Sequence, residues 1–318
     1  MDIYEQILNY FSNVSDIADW KEVQVLFRRI ASKKPYHWML PVWACEAVGG
    51  TSDQAIPAVV AIACSQISII LIDDMLDSDP RGEYHIIGAP AAANMACAFQ
   101  AAALDAIARC KAEPGTRLMA LSGLNQMILT TTFGQHQDVQ GLINEADYWR
   151  VVQAKSSPFF GSALHIGALL GGGSVEIAEQ LKASGRLYGE MIQIHDDLND
   201  AMEVPANSDW ISGRSSLPIL FAQIVEHPDR QRFLELRQEV HDPDKLAEAQ
   251  TILIRCGAIS YGVDQLVQRY KKSHEILDTL SLNKPEGLEK MFDGVINPVK
   301  ELFSALGIDR FSLYPEIT

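Results

Sequence analysis

Three carboxylates within five residues, Asp73-Asp74-Met75-Leu76-Asp77, follow an apolar run ending Ile70-Leu71-Ile72. The pattern returns at Asp196-Asp197-Leu198-Asn199-Asp200, after Ile192-Gln193-Ile194-His195. On a helix, the first and last Asp of each motif fall four residues apart, on one face and about 6 Å along the axis. Acids so spaced, set against apolar sequence, repel one another and are costly to desolvate. A single copy reads equally well as solvated acids at a helix end, but the repetition favours a cage of oxygen ligands. Hard cations such as Mg²⁺ prefer that ligand set, keep several waters and share their shell with substrate phosphates. Asp73, Asp74, Asp77, Asp196, Asp197 and Asp200 are therefore the candidate metal residues, and the expected ligand carries phosphate.

A metal-bound diphosphate also needs cations on its outer oxygens. Arg81 follows the first motif by four residues, Lys155 interrupts an otherwise apolar segment, and Arg214 sits in the polar stretch Asp209–Pro218. Each alone is also readable as a solvated surface charge. Lys155 is the best placed, because Val151 to Leu170 holds no other acid, Lys or Arg and an unpaired buried Lys is expensive. Gln135 and Asp138, in Gly134-Gln135-His136-Gln137-Asp138, fit either the second shell of a metal or a buried polar network. The eight histidines show no zinc spacing, and the Gly-rich stretches lack the strand-to-helix context of a nucleotide loop.

These residues need rigid elements, and the apolar spacing predicts helices nearly throughout. Helices are expected over about 2–12, 18–31, 36–48, from 51 to the first acids, and over 89–110, 116–140, 147–170 and 175–202. Five more are expected at 217–226, 229–239, 243–255, 258–280 and 285–305, with Pro and Gly in the connections. The expectation is a single all-α domain, residues 1–318, a helical bundle whose acids face a central cavity.

With 318 residues, 47% hydrophobic, the chain can bury a large core. A net charge of −15 argues against nucleic-acid binding, which rests on clustered Lys and Arg. The five cysteines lack metal or Cys-x-x-Cys spacing and read as buried free thiols in a reducing compartment. Met1-Asp2-Ile3-Tyr4-Glu5 does not resemble a signal peptide, so a cytoplasmic location is expected. Ala55 to Ile72 is 18 residues without a charge, but Pro57, Ser65, Gln66 and Ser68 favour a buried bundle helix over a membrane span.

Taken together, about residues 30–300 resemble the trans-type isoprenyl diphosphate synthases, or polyprenyl synthetases. The two acidic stretches look like that family's two Asp-rich motifs. Lys155-Ser156 stands where Lys-Thr is usual, Gly134-Gln135-x-x-Asp138 is similar to a Gly-Gln-x-x-Asp element, and Gly213-Arg214-Ser215-Ser216-Leu217-Pro218 is similar to a Gly-Lys-x-Thr-Leu-Pro loop. The resemblance implies an all-α homodimer using Mg²⁺. Asp73, Asp77 and Asp196 would be the principal ligands, with Asp74, Asp197 and Asp200 ordering waters. Lys155 and Arg214 would hold an allylic isoprenyl diphosphate, while Ser156 and Gln193 would face the allylic cation left when diphosphate departs. Isopentenyl diphosphate would attack that cation. Ser68 and Ile69, five and four positions before the first motif, would set chain length, and neither is aromatic, which implies a product beyond the C15 class.

The departures from the family pattern concern isopentenyl diphosphate. The usual Gly-Gly-Lys-Arg-x-x-Pro is replaced by Ser32-Lys33-Lys34-Pro35-Tyr36-His37-Trp38, leaving Lys34 and His37 as candidate contacts. Neutral His is a poor diphosphate anchor beside bidentate Arg. An Arg-Arg-Gly element is reduced to Pro80-Arg81-Gly82, and Ile72 replaces a His. Two further readings follow: a class I terpene synthase-like enzyme, or one passing the prenyl cation to another acceptor. A non-catalytic subunit of a heteromeric synthase is a third, against which the intact acidic motifs argue.

Overall fold

A computed structural model describes residues 2–14, 17–139, 144–211 and 215–305. Among them every regular element is helical, as the apolar spacing predicts. The chain divides into two compact units. The first comprises Met1–Thr132, Pro158–Arg186 and Ile276–Glu289; the second comprises Phe133–Ser157, Leu187–Glu275 and Lys290–Thr318.

The first unit is built on the helix Ser52–Leu76, which is apolar on all sides. Gln54 Oε1 accepts the Thr51 N–H at 2.8 Å and so satisfies one of the donors left open at its start. From Ala55 to Ser68 only Gln66 is not fully buried, and its Oε1 takes the Trp38 indole N–H at 2.6 Å. Alanines 92, 96, 102, 103 and 106 on the helix Ala89–Ala108 are buried, their small side chains permitting close helix approach. An aromatic stack closes the unit: Phe11 lies 3.8 Å from Phe27, which lies 5.4 Å from Trp38, centroid to centroid. Ser52–Leu76 and Ala89–Ala108 are both long and apolar enough to cross a membrane, but 78% of the first helix's most apolar window is buried against protein, and 44% of the second's.

The second unit packs the helices Leu217–Ile224, Arg230–Leu236 and Pro243–Arg255 around Trp210, Phe233 and Leu253. This core also closes the end of the helix Val175–Met202. The Ala201 carbonyl, in its last turn, accepts Trp210 Nε1 and Gln250 Nε2, each at 3.3 Å. Carbonyls there have no helical partner and need such donors.

Three sequence expectations are corrected. The segment 147–170 is two helices, Glu145–Lys155 and Ser157–Leu170, with Ser156 at the junction. Pro158 is the reason: it has no N–H for the Ala154 carbonyl four residues back, and its ring crowds that carbonyl. Pro and Gly are not confined to connections, since Pro57 and Pro298 lie inside helices and Gly134 and Gly167 serve close packing. A Cβ on Gly167 would stand 2.3 Å from the Pro41 carbonyl oxygen. Of the five thiols, Cys45, Cys64 and Cys110 are buried, but Cys97 is exposed and Cys256 half-buried.

Candidate active site

In the first unit, Asp73 and Asp74 occupy the last turn of Ser52–Leu76, and Asp77 is its C-terminal cap. The Asp77 N–H still reaches the Asp73 carbonyl at 2.8 Å, so the four-residue spacing on one face is realised. All three carboxylates are half-buried. They stand at the negative end of a 25-residue helix, where the backbone dipole disfavours anions. Partial burial, then the charges of Asp79 and Asp73, push the Asp74 carboxyl up from its ordinary value. Such a cluster gains from any cation it can hold.

Arg81 lies beyond the turn, its Nη2 2.9 Å from Asp79 Oδ2 and its Nε 3.1 Å from Asp79 Oδ1. That fork holds the Asp79 carboxyl below its usual range. The Arg81 side chain is 88% exposed, so the pair is a solvated one of small energetic weight. Lys34 has a left-handed backbone (φ 49°), pairs with Asp2 Oδ2 at 2.8 Å and lies over the Tyr4 ring. His37 is half-buried and stands edge-on to Phe160 at 5.0 Å. Ser68 is fully buried and Ile69 partly so.

In the second unit, Asp196 is exposed and Asp200 half-buried, four residues apart near the end of Val175–Met202. Adjacent helical residues point about 100° apart, so Asp197 faces elsewhere. It is 3% exposed, and its two oxygens are engaged by protein. Oδ2 accepts the Tyr148 hydroxyl and the Leu217 N–H, each at 2.7 Å, and Oδ1 accepts Gln193 Nε2 at 2.8 Å. Burial pushes this carboxyl up to about 7, against the pull of those three donors. Gln193 in turn accepts the Ser156 hydroxyl on its Oε1 at 2.8 Å.

The neighbouring helix brings Lys155 to this cluster. Gly134 makes that possible, because a Cβ there would lie 2.3 Å from the Lys155 backbone nitrogen. One turn on, Asp138 Oδ2 meets Lys155 Nζ at 2.7 Å, which answers the cost of a lone Lys in apolar sequence. Gln135 is buried on the same helix. A second pair fixes the Lys155 helix from behind. Arg269 Nε bonds Glu190 Oε2 at 2.6 Å, both side chains largely buried, and the guanidinium lies 3.9 Å from the Trp149 ring centre. Tyr261 and Trp149 both donate to Glu145 in the first turn of the same helix.

Arg214 lies outside the described residues. Tyr148, the Leu217 N–H, Glu190 and Arg269 escape a reading by residue type, although Tyr148 stands two turns before Lys155 on one helix face, a spacing that signals it. Among the described residues no three of His, Cys, Asp and Glu stand close enough together to hold a metal by themselves. Carboxylate-only clusters of this kind fit Mg²⁺, which completes its shell with water and phosphate oxygens.

Residues 32–253 match the family model described as polyprenyl synthetase. The chain is 28% identical over 257 residues to a geranylgeranyl diphosphate synthase of Methanosarcina mazei, covering 75% of this chain and 77% of that protein. It is 23% identical over 260 residues to an octaprenyl diphosphate synthase of Haemophilus influenzae, covering 76% and 77%. Among solved structures it shares its fold with a geranylgeranyl pyrophosphate synthetase of Pyrococcus horikoshii, with a TM-score of 0.81 at 22% identity over 92% of this chain and 95% of that one. The chain belongs to the polyprenyl synthetase family, the trans-type isoprenyl diphosphate synthases.

Proposed function

We propose that this chain is a Mg²⁺-dependent prenyltransferase that ionises an allylic isoprenyl diphosphate and joins it to isopentenyl diphosphate, giving a longer trans-polyprenyl diphosphate. The observation that supports this reading is that Ser156, next to Lys155, bonds Gln193, which in turn bonds Asp197 of the second acidic motif. When bound, Mg²⁺ would neutralise the diphosphate and stabilise it as it leaves. The metal-binding residues of this reading are Asp73 and Asp77, with Asp74 beside them, in the first motif and Asp196 and Asp200 in the second. Asp197, saturated by Tyr148, Leu217 and Gln193, has a positioning role in this reading.

Lys155, paired with Asp138, would grip the diphosphate, joined by Arg214 and Arg81. Ser156 and Gln193 would turn oxygen toward the allylic cation, where pre-oriented dipoles act most strongly. Lys34 and His37 are assigned to isopentenyl diphosphate. The pairing of Lys34 with Asp2 favours a second reading, in which the acceptor site is weak and the cation is cyclised, quenched or passed to another acceptor.

The two units are read as one isoprenoid synthase domain, since the family match runs from 32 to 253 across both. Two copies would pair through the first unit, where Leu118 and Leu129 are 68% and 61% exposed on one helix. We place the enzyme in the cytoplasm, in keeping with its free thiols.

Calorimetric titration with a non-ionisable allylic thiolodiphosphate tests the site. Binding is expected with Mg²⁺ and lost with chelator. Binding of equal strength in chelator would overturn the metal-cage reading.

A further inference from the structure

We propose that Tyr148 is a positioning residue for this reaction: through Asp197 and Gln193 it sets the Ser156 hydroxyl so that its lone pairs, not its proton, face the substrate. The inference rests on the functional reading above and adds a residue and a polarity to it.

The direction of each bond follows from what its atoms can do. The Leu217 N–H is a donor only, so the Asp197 oxygen it meets at 2.7 Å must accept. The Tyr148 hydroxyl lies 2.7 Å from that same oxygen. That oxygen offers only lone pairs, so the phenol O–H is the donor between them. Gln193 reaches the other Asp197 oxygen at 2.8 Å with its NH₂, the end that satisfies a carboxylate. An amide has two unlike ends, so its Oε1 must then face Ser156. That oxygen is 2.8 Å from Ser156 Oγ and can only accept, so the hydroxyl proton is committed to it.

Among the described residues Ser156 has no competing use for that proton. A helical Ser commonly donates to the carbonyl four residues back, here Val152. The Val152 carbonyl already accepts the Ser157 hydroxyl at 3.1 Å and the Ser156 N–H at 3.2 Å. Ser156 also stands at the helix junction, with φ −95° and ψ −50°, next to Lys155. With its proton held by Gln193, both lone pairs remain to stabilise positive charge on the allylic group. Reversing the relay would present a proton to that charge instead.

A double-mutant cycle between Tyr148→Phe and Ser156→Ala tests this, with kcat and KM measured separately and folding checked by circular dichroism. The expected result is a fall of about tenfold in kcat for Tyr148→Phe, with KM for the allylic diphosphate changed less than twofold. In the Ser156→Ala background the same substitution should cost less than twofold, because its effect passes through Ser156. Asp197→Asn, the same shape with one acceptor exchanged for a donor, should lower kcat at least as far. Equal losses from Tyr148→Phe in both backgrounds would overturn the relay and leave the functional reading standing. A folded wild-type protein that neither binds nor turns over any allylic diphosphate with Mg²⁺ would overturn both.

Discussion

Lys155 Nζ sits 2.7 Å from Asp138 Oδ2, and Gly134, one turn before Asp138, lets the two helices touch backbone to backbone. A methyl at Gly134 would lie 2.3 Å from the Lys155 nitrogen and 2.4 Å from the Ala154 carbonyl carbon, atoms that cannot swing aside. Gly134→Ala is therefore expected to cost roughly 1–3 kcal/mol through overpacking. It should also raise KM for the allylic diphosphate by displacing Lys155. Urea denaturation and initial-rate kinetics check both, and unchanged values would contradict the packing argument.

Asp73 stands at the negative end of its helix, and its charge helps to push the neighbouring Asp74 carboxyl up. Asp73→Ala should lower turnover of allylic diphosphates by about 100–1000-fold, the scale of losing one major electrostatic stabiliser of a leaving group. Removing one of several repelling acids should leave the folded state no less stable. Mg²⁺-dependent diphosphate release measures the first effect, and wild-type turnover would remove Asp73 from the metal site.

How much of this was readable beforehand differs residue by residue. The acidic motifs, Lys155, Ser156 and Gln193 stood out because their types conflict with the apolar runs around them, and of these Ser156 bonds Gln193, which bonds Asp197. Asp197 was grouped with the metal ligands by its neighbours' company, yet its offset of 100° from Asp196 already turns it to another face. The helix junction at Ser156 was hidden because apolar spacing continues through it, although Pro158 marked it. Gly134 and the Arg269–Glu190 pair depend on tertiary contacts between distant segments, and local pattern carries no trace of those.

Ser68 is fully buried on the Ser52–Leu76 helix, and its hydroxyl finds no hydrogen-bond partner among the described residues. If it floors the chain pocket, Ser68→Phe should shorten the product by at least one C5 unit in mass spectra. Ser68→Ala should keep product length and gain up to about 1 kcal/mol, since a buried unpaired hydroxyl is unfavourable. The same product from Ser68→Phe would reject this floor.

His165 Nε2 lies 3.0 Å from Glu179 Oε1, but burial, then the nearby Lys182 charge, hold the imidazole below its ordinary 6.5. The unfolded chain thus takes up a proton that the native state resists. The contribution of His165 is full above pH 6.5 and is lost as pH falls through that value toward the folded pKa. Urea midpoints measured on both sides of that range should fall less with acid in His165→Asn than in wild type. Equal falls would contradict the assignment.

The central claim is carbon–carbon bond formation to isopentenyl diphosphate. The most direct measurement incubates the purified protein and Mg²⁺ with geranyl, farnesyl or geranylgeranyl diphosphate, with and without isopentenyl diphosphate, and identifies products by mass spectrometry. Longer prenyl diphosphates formed only when isopentenyl diphosphate is present are the predicted result. Hydrocarbon or alcohol, with diphosphate released whether or not isopentenyl diphosphate is added, would contradict it and favour a terpene synthase-like enzyme.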